Sequence, residues 1–469
     1  MKKILVLLFA LLIVVQLSAQ NALDSFVNCN LLRNANISLM VRDLASGKTL
    51  YEYRANHPTI TASTMKTITT STALELLGGD YRFKTMIEYD GKIDKKGTLH
   101  GNIYVRGCGD PTLGSSKLGD TLFLKRWGTE IKKFGIKKIK GNIVADNSAY
   151  DDMGINQHWQ WEDLGNYYGA GAYALAYKDN TYSIQFSSKE VGTTPEITKV
   201  TPNVKELTFI NNLKTTNTQS DNIYIFGAPK DNTRTLRGEI PPNKMNITVD
   251  GDIPNPGKLL VDDFKYELIQ QGIAIRGDTY EISSPSANTR EPIFTHLSPE
   301  LREIIKAINV PSNNHYAEQL FRHLSFIKDS LGTSAASANI IKSYWEQKSL
   351  PVDQLFMLDG SGLSPVNAVS ALFFVDLLTY MEQSKNSTDF INSLPIAGIS
   401  GTVKILLDKT RLEGKVRAKS GTITRVRCYV GYLNDGDKKW AFAILVNNQN
   451  GSARDVTDKI EEFLLNITQ

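Results

Sequence analysis

The chain has 469 residues, of which 41% are hydrophobic and 22% charged, and this composition is typical of a soluble globular protein with two or three domains. Its formal net charge of +4 does not indicate the basic surface of a nucleic-acid-binding protein. The six histidines show no metal-ligand spacing, so we expect neither a metal nor another cofactor.

The first residues have the pattern of a secretory signal peptide. Met1-Lys2-Lys3 precedes the apolar run Ile4–Val15, and Leu17-Ser18-Ala19 supplies the small residues of a cleavage site. Cleavage there would remove residues 1–19 and leave Gln20 as the first residue. An uncleaved membrane anchor is the alternative, but the apolar run is short for a bilayer span. The pattern therefore predicts a secreted protein.

A short helix, two strands and a longer helix are predicted before residue 80. Asn21–Asn34 has the pattern of the short helix, and Ile37–Arg42 and Lys48–Arg54 alternate as the strands of a hairpin. The longer helix covers Thr64–Leu77 and ends at Gly78-Gly79, as helices commonly do.

Strands dominate from Tyr81 to about Ile282, and helices dominate from Ser298 onwards. The elements predicted in the first stretch are strands Lys84–Tyr89, Gly101–Arg106, Ile139–Asp146, Tyr182–Phe186, Leu207–Asn211 and Ile223–Gly227, helices Leu122–Phe134 and Leu259–Gln271, and a strand pair of Gly272–Arg276 with Thr279–Ser283. Those in the second are helices Pro299–Ile308, Asn314–Ser325, Thr333–Ser349, Ala368–Gln383, Thr402–Leu407 and Asp455–Ile467, and a hairpin of Val416–Asp435 with Lys439–Asn447. Packing of the last helix on the sheet is favoured over a membrane surface, because its polar face is acidic or mixed.

This order of elements predicts an α/β (α+β) fold, in which a helix–sheet body is interrupted by a long β-rich insertion. Within the insertion, residues 181–248 are rich in Thr, Asn and Ser and resemble a separate small all-β unit. The cysteines Cys29, Cys108 and Cys428 are too few for a disulfide framework, although a single Cys29–Cys428 bond stays open.

Ser63 and Lys66 form a Ser-x-x-Lys pattern at the start of a predicted helix. Residues three apart lie one turn apart on one face, so the Lys66 amine can hydrogen-bond the Ser63 hydroxyl. A neutral lysine amine could then take the serine proton and make the hydroxyl a nucleophile. Alone the pattern is weak, because an N-cap serine followed by a solvated lysine has the same sequence.

Ser312 and Asn314 form a second pattern, Ser-x-Asn, on a loop before a helix. On an extended loop, the side chains of residues two positions apart project in the same direction, so both side chains can face one cleft. The alternative is a helix N-cap formed by Ser312 or Asn313.

Lys419-Ser420-Gly421-Thr422 is the third pattern, and it lies on a predicted strand. Lys419 could hold Lys66 partly neutral and attract a substrate carboxylate. Gly421 lacks a Cβ and could let a substrate backbone approach the strand. The alternative is an ordinary strand lysine beside a hairpin.

The ordered set Ser-x-x-Lys, Ser-x-Asn and Lys-Ser-Gly is close to that of β-lactamases and penicillin-binding proteins. Over essentially all of its mature length the chain resembles the D-alanyl-D-alanine carboxypeptidases/endopeptidases of the penicillin-binding protein 4 type. Four further stretches carry the resemblance: Gly107–Leu113, Tyr168-Gly169-Ala170 before Asn180, Asp359–Ser364, and Leu394–Gly398 before Gly401-Thr402.

The resemblance implies a penicillin-binding/β-lactamase-like transpeptidase domain, with helices around an antiparallel sheet, formed by residues 20–80 and 284–469. It also implies two domains inserted between Ser63 and Ser312. One comprises residues 81–180 and 249–283, and residues 181–248 are nested within it.

By the same resemblance, the chain is a periplasmic serine-type peptidase that cleaves peptidoglycan stem peptides and cross-links, and β-lactams inhibit it. Ser63 attacks the carbonyl between two D-alanines and Lys66 accepts its proton. Ser312 and Lys419 relay a proton to the leaving amine, and Asn314 holds the substrate amide. The implied catalytic residues are Ser63, Lys66, Ser312, Asn314 and Lys419, and the implied substrate-binding residues are Ser420, Gly421, Thr422, Asp163 and Tyr168.

Two details of substrate binding follow from the resemblance. The backbone N–H groups of Ser63 and Thr422 form the oxyanion hole, and Asp163 and Tyr168 match an acid and an aromatic residue that bind the diamino acid of the stem. Pro365 stands where the family carries arginine, and a proline cannot bind the carboxylate of meso-diaminopimelate.

Two other functions compete with this interpretation. A β-lactamase needs a base for the deacylating water, and no Glu-x-x-x-Asn follows shortly after Ser312. An inactive wall-binding protein is disfavoured because all the catalytic positions are present. The balance of carboxypeptidase and endopeptidase activity stays open, as does a possible homo-oligomer.

Overall fold

The computed structural model describes residues 22–285 and 287–469, so the predicted signal peptide lies outside the described residues. They form two compact units. The first unit contains the chain up to Glu75 with Ile308–Ser312 and Ile341–Gln469, and the second unit contains Leu76–Ala307 and Asn313–Ile340. No helix within these described ranges is long and apolar enough to cross a membrane.

Most of the predicted helices are present with ends shifted by a few residues. The α-helices are Met65–Leu77, Phe123–Lys133, Pro256–Gln270, Leu301–Asn309, Asn314–Asp329, Ser334–Gln347, Ala371–Gln383, Ser387–Ser393 and Ala453–Ile467. At the start of the described chain only residues 22–27 are helical, and turns follow.

The first unit is built on a five-stranded antiparallel sheet. In spatial order its strands are Thr49–Tyr53, Asn36–Asp43, Lys438–Asn447, Val426–Asp435 and Val416–Ile423. The last of these is an edge strand, and it contains the Lys-Ser-Gly-Thr sequence. A small pair, Leu355–Phe356 with Ala368–Val369, completes the strands of this unit.

Helices cover both faces of this sheet. Ile460, Phe463 and Leu464 of the C-terminal helix are buried in the same cluster as strand residues of one face, which confirms that this amphipathic helix packs on the sheet. On the other face, the Leu378 carbonyl of helix Ala371–Gln383 accepts a hydrogen bond from Tyr432 at 2.8 Å. The sheet is therefore buried on both sides.

The helix Met65–Leu77 is buried despite its many threonines. The hydroxyls of Thr70 and Thr72 donate to carbonyls four residues earlier, both at 2.7 Å. Trp345 Nε1 also donates to the Thr72 hydroxyl, at 2.8 Å. Since threonine is a poor helix former, tertiary burial and these bonds stabilise the helix more than propensity does.

The described residues of the second unit form five sheets of two to five strands. The five-stranded sheet has the strand order Thr279–Ile282, Ile143–Asp146, Ile103–Arg106, Lys84–Tyr89, Glu291–Leu297. The four-stranded sheet has the order Ala274–Ile275, Lys138–Ile139, Thr98–His100, Lys92–Ile93. The smaller ones are Glu196–Thr201, Thr181–Ser187, Ile247–Asp252; Thr208–Asn211, Thr233–Arg237, Tyr224–Phe226; and Lys214–Thr215 with Glu239–Ile240.

One hydrophobic core runs through most of this unit. It includes Trp127 and Phe264, whose rings pack edge to face at 5.4 Å between helices Phe123–Lys133 and Pro256–Gln270. It also includes Tyr182 and other residues of 181–248, so this segment shares a core with its surroundings. The predicted division of the chain into a body, an inserted domain and a nested domain stays a prediction.

The mixed architecture confirms the predicted fold class, but several local predictions are wrong. The predicted strand Ile139–Asp146 is divided between Lys138–Ile139 and Ile143–Asp146, which belong to different sheets. Val416–Asp435 is two strands, because the chain turns at Arg425 with a positive φ of 60°. Gly272–Arg276 and Thr279–Ser283 do not pair with each other, since their strands pair in parallel with Lys138–Ile139 and Ile143–Asp146. Thr402–Leu407 is not a helix, because only the 3₁₀ turn Gly401–Val403 overlaps its start and the residues after it form turns.

Candidate active site

Ser63 lies in a 3₁₀ turn, Ala62–Thr64, that leads directly into the helix Met65–Leu77. The Lys66 amine donates to the Ser63 hydroxyl at 2.9 Å, as the helical spacing predicts. Lys66 is fully buried while Ser63 stays partly exposed. Ser63 therefore keeps some contact with solvent, while its amine partner is withdrawn from water.

The residue before the serine has a strained backbone. Ala62 has a φ of +45°, a left-handed value that residues with a Cβ adopt at a cost of about 1–3 kcal/mol. Two hydrogen bonds to Ile60, two residues earlier, hold the chain that leads into it. Asn447 accepts from the Ile60 N–H at 2.7 Å and donates to the Ile60 carbonyl at 3.0 Å, which anchors this segment to the sheet.

The loop Asp359–Ser364 positions the Lys66 amine. The Ser361 carbonyl accepts from Lys66 Nζ at 2.6 Å. The Asp359 carboxylate folds the loop by accepting from the N–H groups of Gly362 at 2.8 Å and Ser364 at 2.7 Å. A Cβ on Gly362 would lie 1.9 Å from the Ala62 carbonyl oxygen, so only glycine lets the loop approach this closely. The sequence pattern marked this loop without giving it this role.

Ser312 and Lys419 form a second hydroxyl–amine pair in the first unit. Lys419 Nζ donates to Ser312 Oγ at 2.9 Å and to the Ser420 carbonyl at 2.7 Å. Ser312 is partly exposed with a φ of +63°, and Lys419 is fully buried. Burial, and then the positive charges of Lys66 and Arg427, hold the pKa of Lys419 well below its ordinary value.

Thr402 connects the edge strand to the Ser312 loop. Its hydroxyl accepts from Ser420 Oγ at 2.7 Å, and its N–H donates to the Val310 carbonyl at 3.2 Å. A Cβ on Gly401 would lie 2.3 Å from that carbonyl oxygen. The Gly-Thr pair therefore links the residue after Lys419 to the segment that leads into Ser312.

Gly421 packs against the Ser63 turn. A Cβ at this position would lie 2.4 Å from the Thr61 carbonyl oxygen and 3.2 Å from the Ala62 Cβ. Glycine is thus required by packing inside the protein, which adds to the expected role in admitting a substrate. Next to it, Thr422 is exposed, and its hydroxyl accepts from the Arg427 guanidinium.

Asn314, Asp163 and Tyr168 lie together in the second unit. Asn314 Nδ2 donates to the Tyr168 carbonyl at 2.9 Å. Asp163 is buried and accepts from the Gln160 N–H at 3.2 Å. Burial, and then the Asp163 charge, raise the pKa of Tyr168. Asn313 caps the following helix by accepting from the Tyr316 N–H at 3.2 Å.

The first unit therefore brings Ser63, Lys66, Ser312 and Lys419 together with the edge strand. Within the described residues, no group of three or more His, Cys, Asp or Glu side chains could hold a metal ion, and Cys29, Cys108 and Cys428 are free thiols. Two serine hydroxyls, each bonded to a buried amine, can perform nucleophilic substitution with proton transfer.

Comparison with known proteins gives consistent matches over nearly the whole chain. The D-Ala-D-Ala carboxypeptidase 3 (S13) family matches residues 19–467. A D-alanyl-D-alanine carboxypeptidase of Actinomadura sp. (strain R39) is 28% identical over 448 residues, which cover 92% of this chain and 81% of that protein. The crystal structure of penicillin binding protein 4 (dacB) from Haemophilus influenzae is 23% identical, with a TM-score of 0.81, over 94% of this chain and 98% of that chain. A second crystal structure of that protein, complexed with a β-lactam, is 21% identical, with a TM-score of 0.76, over 95% of this chain and 98% of that chain.

Proposed function

The chain belongs to the D-Ala-D-Ala carboxypeptidase 3 (S13) family, and from this we propose that it cleaves peptidoglycan stem peptides and cross-links through an acyl-enzyme on Ser63. The resemblance to the penicillin-binding protein 4 type is confirmed by this family match together with the relatives described above. One observation carries the mechanism: the buried Lys66 amine lies 2.9 Å from the partly exposed Ser63 hydroxyl.

In the acylation step, Ser63 Oγ forms a bond to the carbonyl carbon between the two D-alanines. Its proton passes to Lys66, which accepts it in the neutral form. The N–H groups of Ser63 and Thr422 stabilise the oxyanion, and a donor of this kind is typically worth about 10²–10³ in rate. The geometry supports this role because the buried Lys66 amine is within hydrogen-bond reach of the serine hydroxyl, at 2.9 Å.

The C–N bond then breaks, and the leaving amine takes a proton from Ser312 Oγ, which Lys419 restores. The low pKa of Lys419 supports this step, since a buried amine beside another cation releases its proton readily. The charge that Lys66 gains with the Ser63 proton is one of the causes of this low pKa, after burial, so proton release from Lys419 is favoured at this stage of the reaction. The two lysines thus act as a coupled pair.

Hydrolysis reverses these proton movements. Water attacks the ester carbonyl and gives a proton to the neutral Lys419, while Ser63 recovers its proton from Lys66 as the ester C–O bond breaks. A β-lactam acylates Ser63 by the same attack, and because its leaving amine stays attached, the acyl-enzyme hydrolyses slowly. When the leaving amine is a single D-alanine the enzyme is a carboxypeptidase, and when it belongs to a neighbouring stem it is an endopeptidase.

Substrate selection involves Asn314, Asp163 and Tyr168. Asn314 holds the substrate amide, and the Asp163 carboxylate binds the ammonium group of the stem's diamino acid beside the Tyr168 ring. Ser420 and Gly421 line the peptide on the edge strand. Pro365 supplies no cation for a second carboxylate, so lysine-type or amidated stems fit better than meso-diaminopimelate. The predicted signal peptide would export the protein to the periplasm, where this substrate lies.

The test combines labelling with two hydrolysis assays on the mature protein. Fluorescent penicillin should label the wild type and leave Ser63→Ala unlabelled, with the exposed Ser46→Ala as a matched control. Released D-alanine from a diacyl-lysyl-D-Ala-D-Ala peptide measures carboxypeptidase activity, and cleavage of a cross-linked muropeptide dimer measures endopeptidase activity. Labelling of Ser63→Ala would refute the nucleophile, and rapid turnover of penicillin would favour a β-lactamase.

A further inference from the structure

A cleft of about 460 Å³ lies in the second unit, at the start of helix Pro256–Gln270. Its other wall is formed by Asn203–Glu206 and Asn232. The cleft has no part in the proposed peptidase chemistry. Its lining combines an apolar floor, paired charges and side-chain amides, and each of these restricts the kind of ligand that fits.

The floor of the cleft is apolar and rigid. Val204 and Leu259 line it, and their side chains belong to the hydrophobic core of the second unit with only 9% and 8% of each exposed. On the wall, Tyr266 is 65% exposed and has no aromatic or hydrogen-bonding partner in the described part of the chain. A ligand can therefore lie against a fixed floor and beside a free aromatic ring.

The acidic groups on the helix side of the cleft are already neutralised. Lys258 pairs with Asp262 at 2.6 Å, and Lys178 pairs with Asp263 at 2.8 Å. Tyr177 also donates to Asp263 at 2.8 Å. On the other wall the exposed Lys205 and Glu206 carry opposite charges, so the charges that line the cleft balance. A strongly anionic or cationic ligand would also have to displace the ion pairs on the helix side, so the electrostatics favour a neutral ligand.

The remaining polar groups are amides that have no partner inside the protein. Asn203, Asn232 and Asn255 line the cleft, and none of their side chains makes a hydrogen bond to any described residue. Asn255 precedes the helix without capping it through its side chain. Each amide offers both donors and an acceptor, which suits a ligand rich in hydroxyl and amide groups.

We propose that this cleft binds a neutral saccharide of the N-acetylated amino-sugar class. A sugar ring places its apolar C–H face on an aromatic ring, here Tyr266, and its hydroxyl and acetamido edges toward amides, here Asn203, Asn232 and Asn255. The glycan strand of peptidoglycan is such a saccharide, and this choice of ligand rests on the proposed function. Binding would retain the enzyme on the strand whose stem peptides it cleaves.

The test uses the complete mature protein and tetra-N-acetylchitotetraose, with titration calorimetry as the readout. We expect saturable binding that Tyr266→Ala weakens about tenfold and Asn232→Ala about fivefold. Tyr280→Ala is the matched control, because Tyr280 is also exposed but lies outside the cleft. Inorganic phosphate, titrated in parallel, measures whether the cleft prefers an anion.

No binding of the tetrasaccharide to the wild type would overturn the proposal, and so would equal weakening in Tyr280→Ala and Tyr266→Ala. Phosphate binding that Tyr266→Ala or Asn232→Ala abolishes would overturn it as well. Release of D-alanine from a small peptide should be unchanged in both cleft variants. If the tetrasaccharide binds but no D-alanine is released by the wild type, the peptidase proposal fails and the saccharide site stands.

Discussion

Replacing Gly421 by alanine tests whether the edge strand sets the position of the nucleophile. The added Cβ would lie 2.4 Å from the Thr61 carbonyl oxygen, 3.1 Å from the Thr64 backbone nitrogen and 3.2 Å from the Ala62 Cβ. The first two are backbone atoms of the turn that contains Ser63, so no flexible side chain can move aside. Either the strand or the turn has to move.

The size of the movement follows from these distances. Ordinary contact begins near 3.4 Å, so the strand and the turn must separate by about 1 Å. Overpacking of this kind destabilises a protein by about 1–3 kcal/mol. A misplacement of about 1 Å in an active site costs about 10²-fold in rate. We therefore expect Gly421→Ala to fold with a lower melting temperature and to react with penicillin about 10²-fold more slowly.

The assay is the second-order rate of acylation by a fluorescent penicillin, measured beside thermal unfolding. Gly436→Ala is the control, because a Cβ there meets nothing within 4 Å and only its φ of +63° is unfavourable. This control should lose about 1 kcal/mol of stability and keep the wild-type acylation rate. If Gly421→Ala were acylated at the wild-type rate, the reasoning would be refuted, since the strand would then not determine the position of Ser63.

Three further predictions follow from the geometry. Burial and the Lys66 charge lower the pKa of Lys419 below its ordinary 10.5, so between the folded-state pKa and 10.5 the unfolded state binds more protons than the folded state. In urea unfolding, Lys419→Met should therefore be more stable than the wild type at neutral pH, and this difference in stability should shrink toward pH 10.5. A difference that does not change with pH would contradict the argument. Asn447→Ala removes two hydrogen bonds to the Ile60 backbone, and it should lower the free energy of unfolding measured by calorimetry by about 2 kcal/mol and slow acylation. An unchanged melting temperature would contradict this and would mean that water replaces the amide. Asp163→Ala should reduce hydrolysis of stem peptides more than acylation by penicillin, and equal losses would exclude a specificity role.

The elements nearest the nucleophile could be predicted because their signals are local. Ser63 and Lys66 are one helical turn apart, so the 2.9 Å contact follows from the periodicity of the helix. The C-terminal helix and the strand holding Lys419 also follow from periodicity. Element boundaries beyond such patterns were less predictable: a single predicted strand over Val416–Asp435 is two strands, because one left-handed residue at Arg425 reverses the chain.

The contacts that hold the site together could not be predicted, since they join residues hundreds of positions apart. Asn447 anchors Ile60 without carrying any distinctive pattern, and the pattern around Ser361 does not say that its carbonyl holds Lys66. Gly362 and Gly421 mark close backbone approaches, but a sequence does not say which backbone approaches them.

The sequence by itself determined which chemical groups the protein has and how helices and strands space them locally, because periodicity and chain order are properties of neighbouring residues. Only the tertiary structure decided which groups meet, which amines lose their water and which amides remain without a partner. Burial and long-range contact create the low pKa of Lys419 and the open cleft beside Tyr266, and both depend on residues brought together by folding alone.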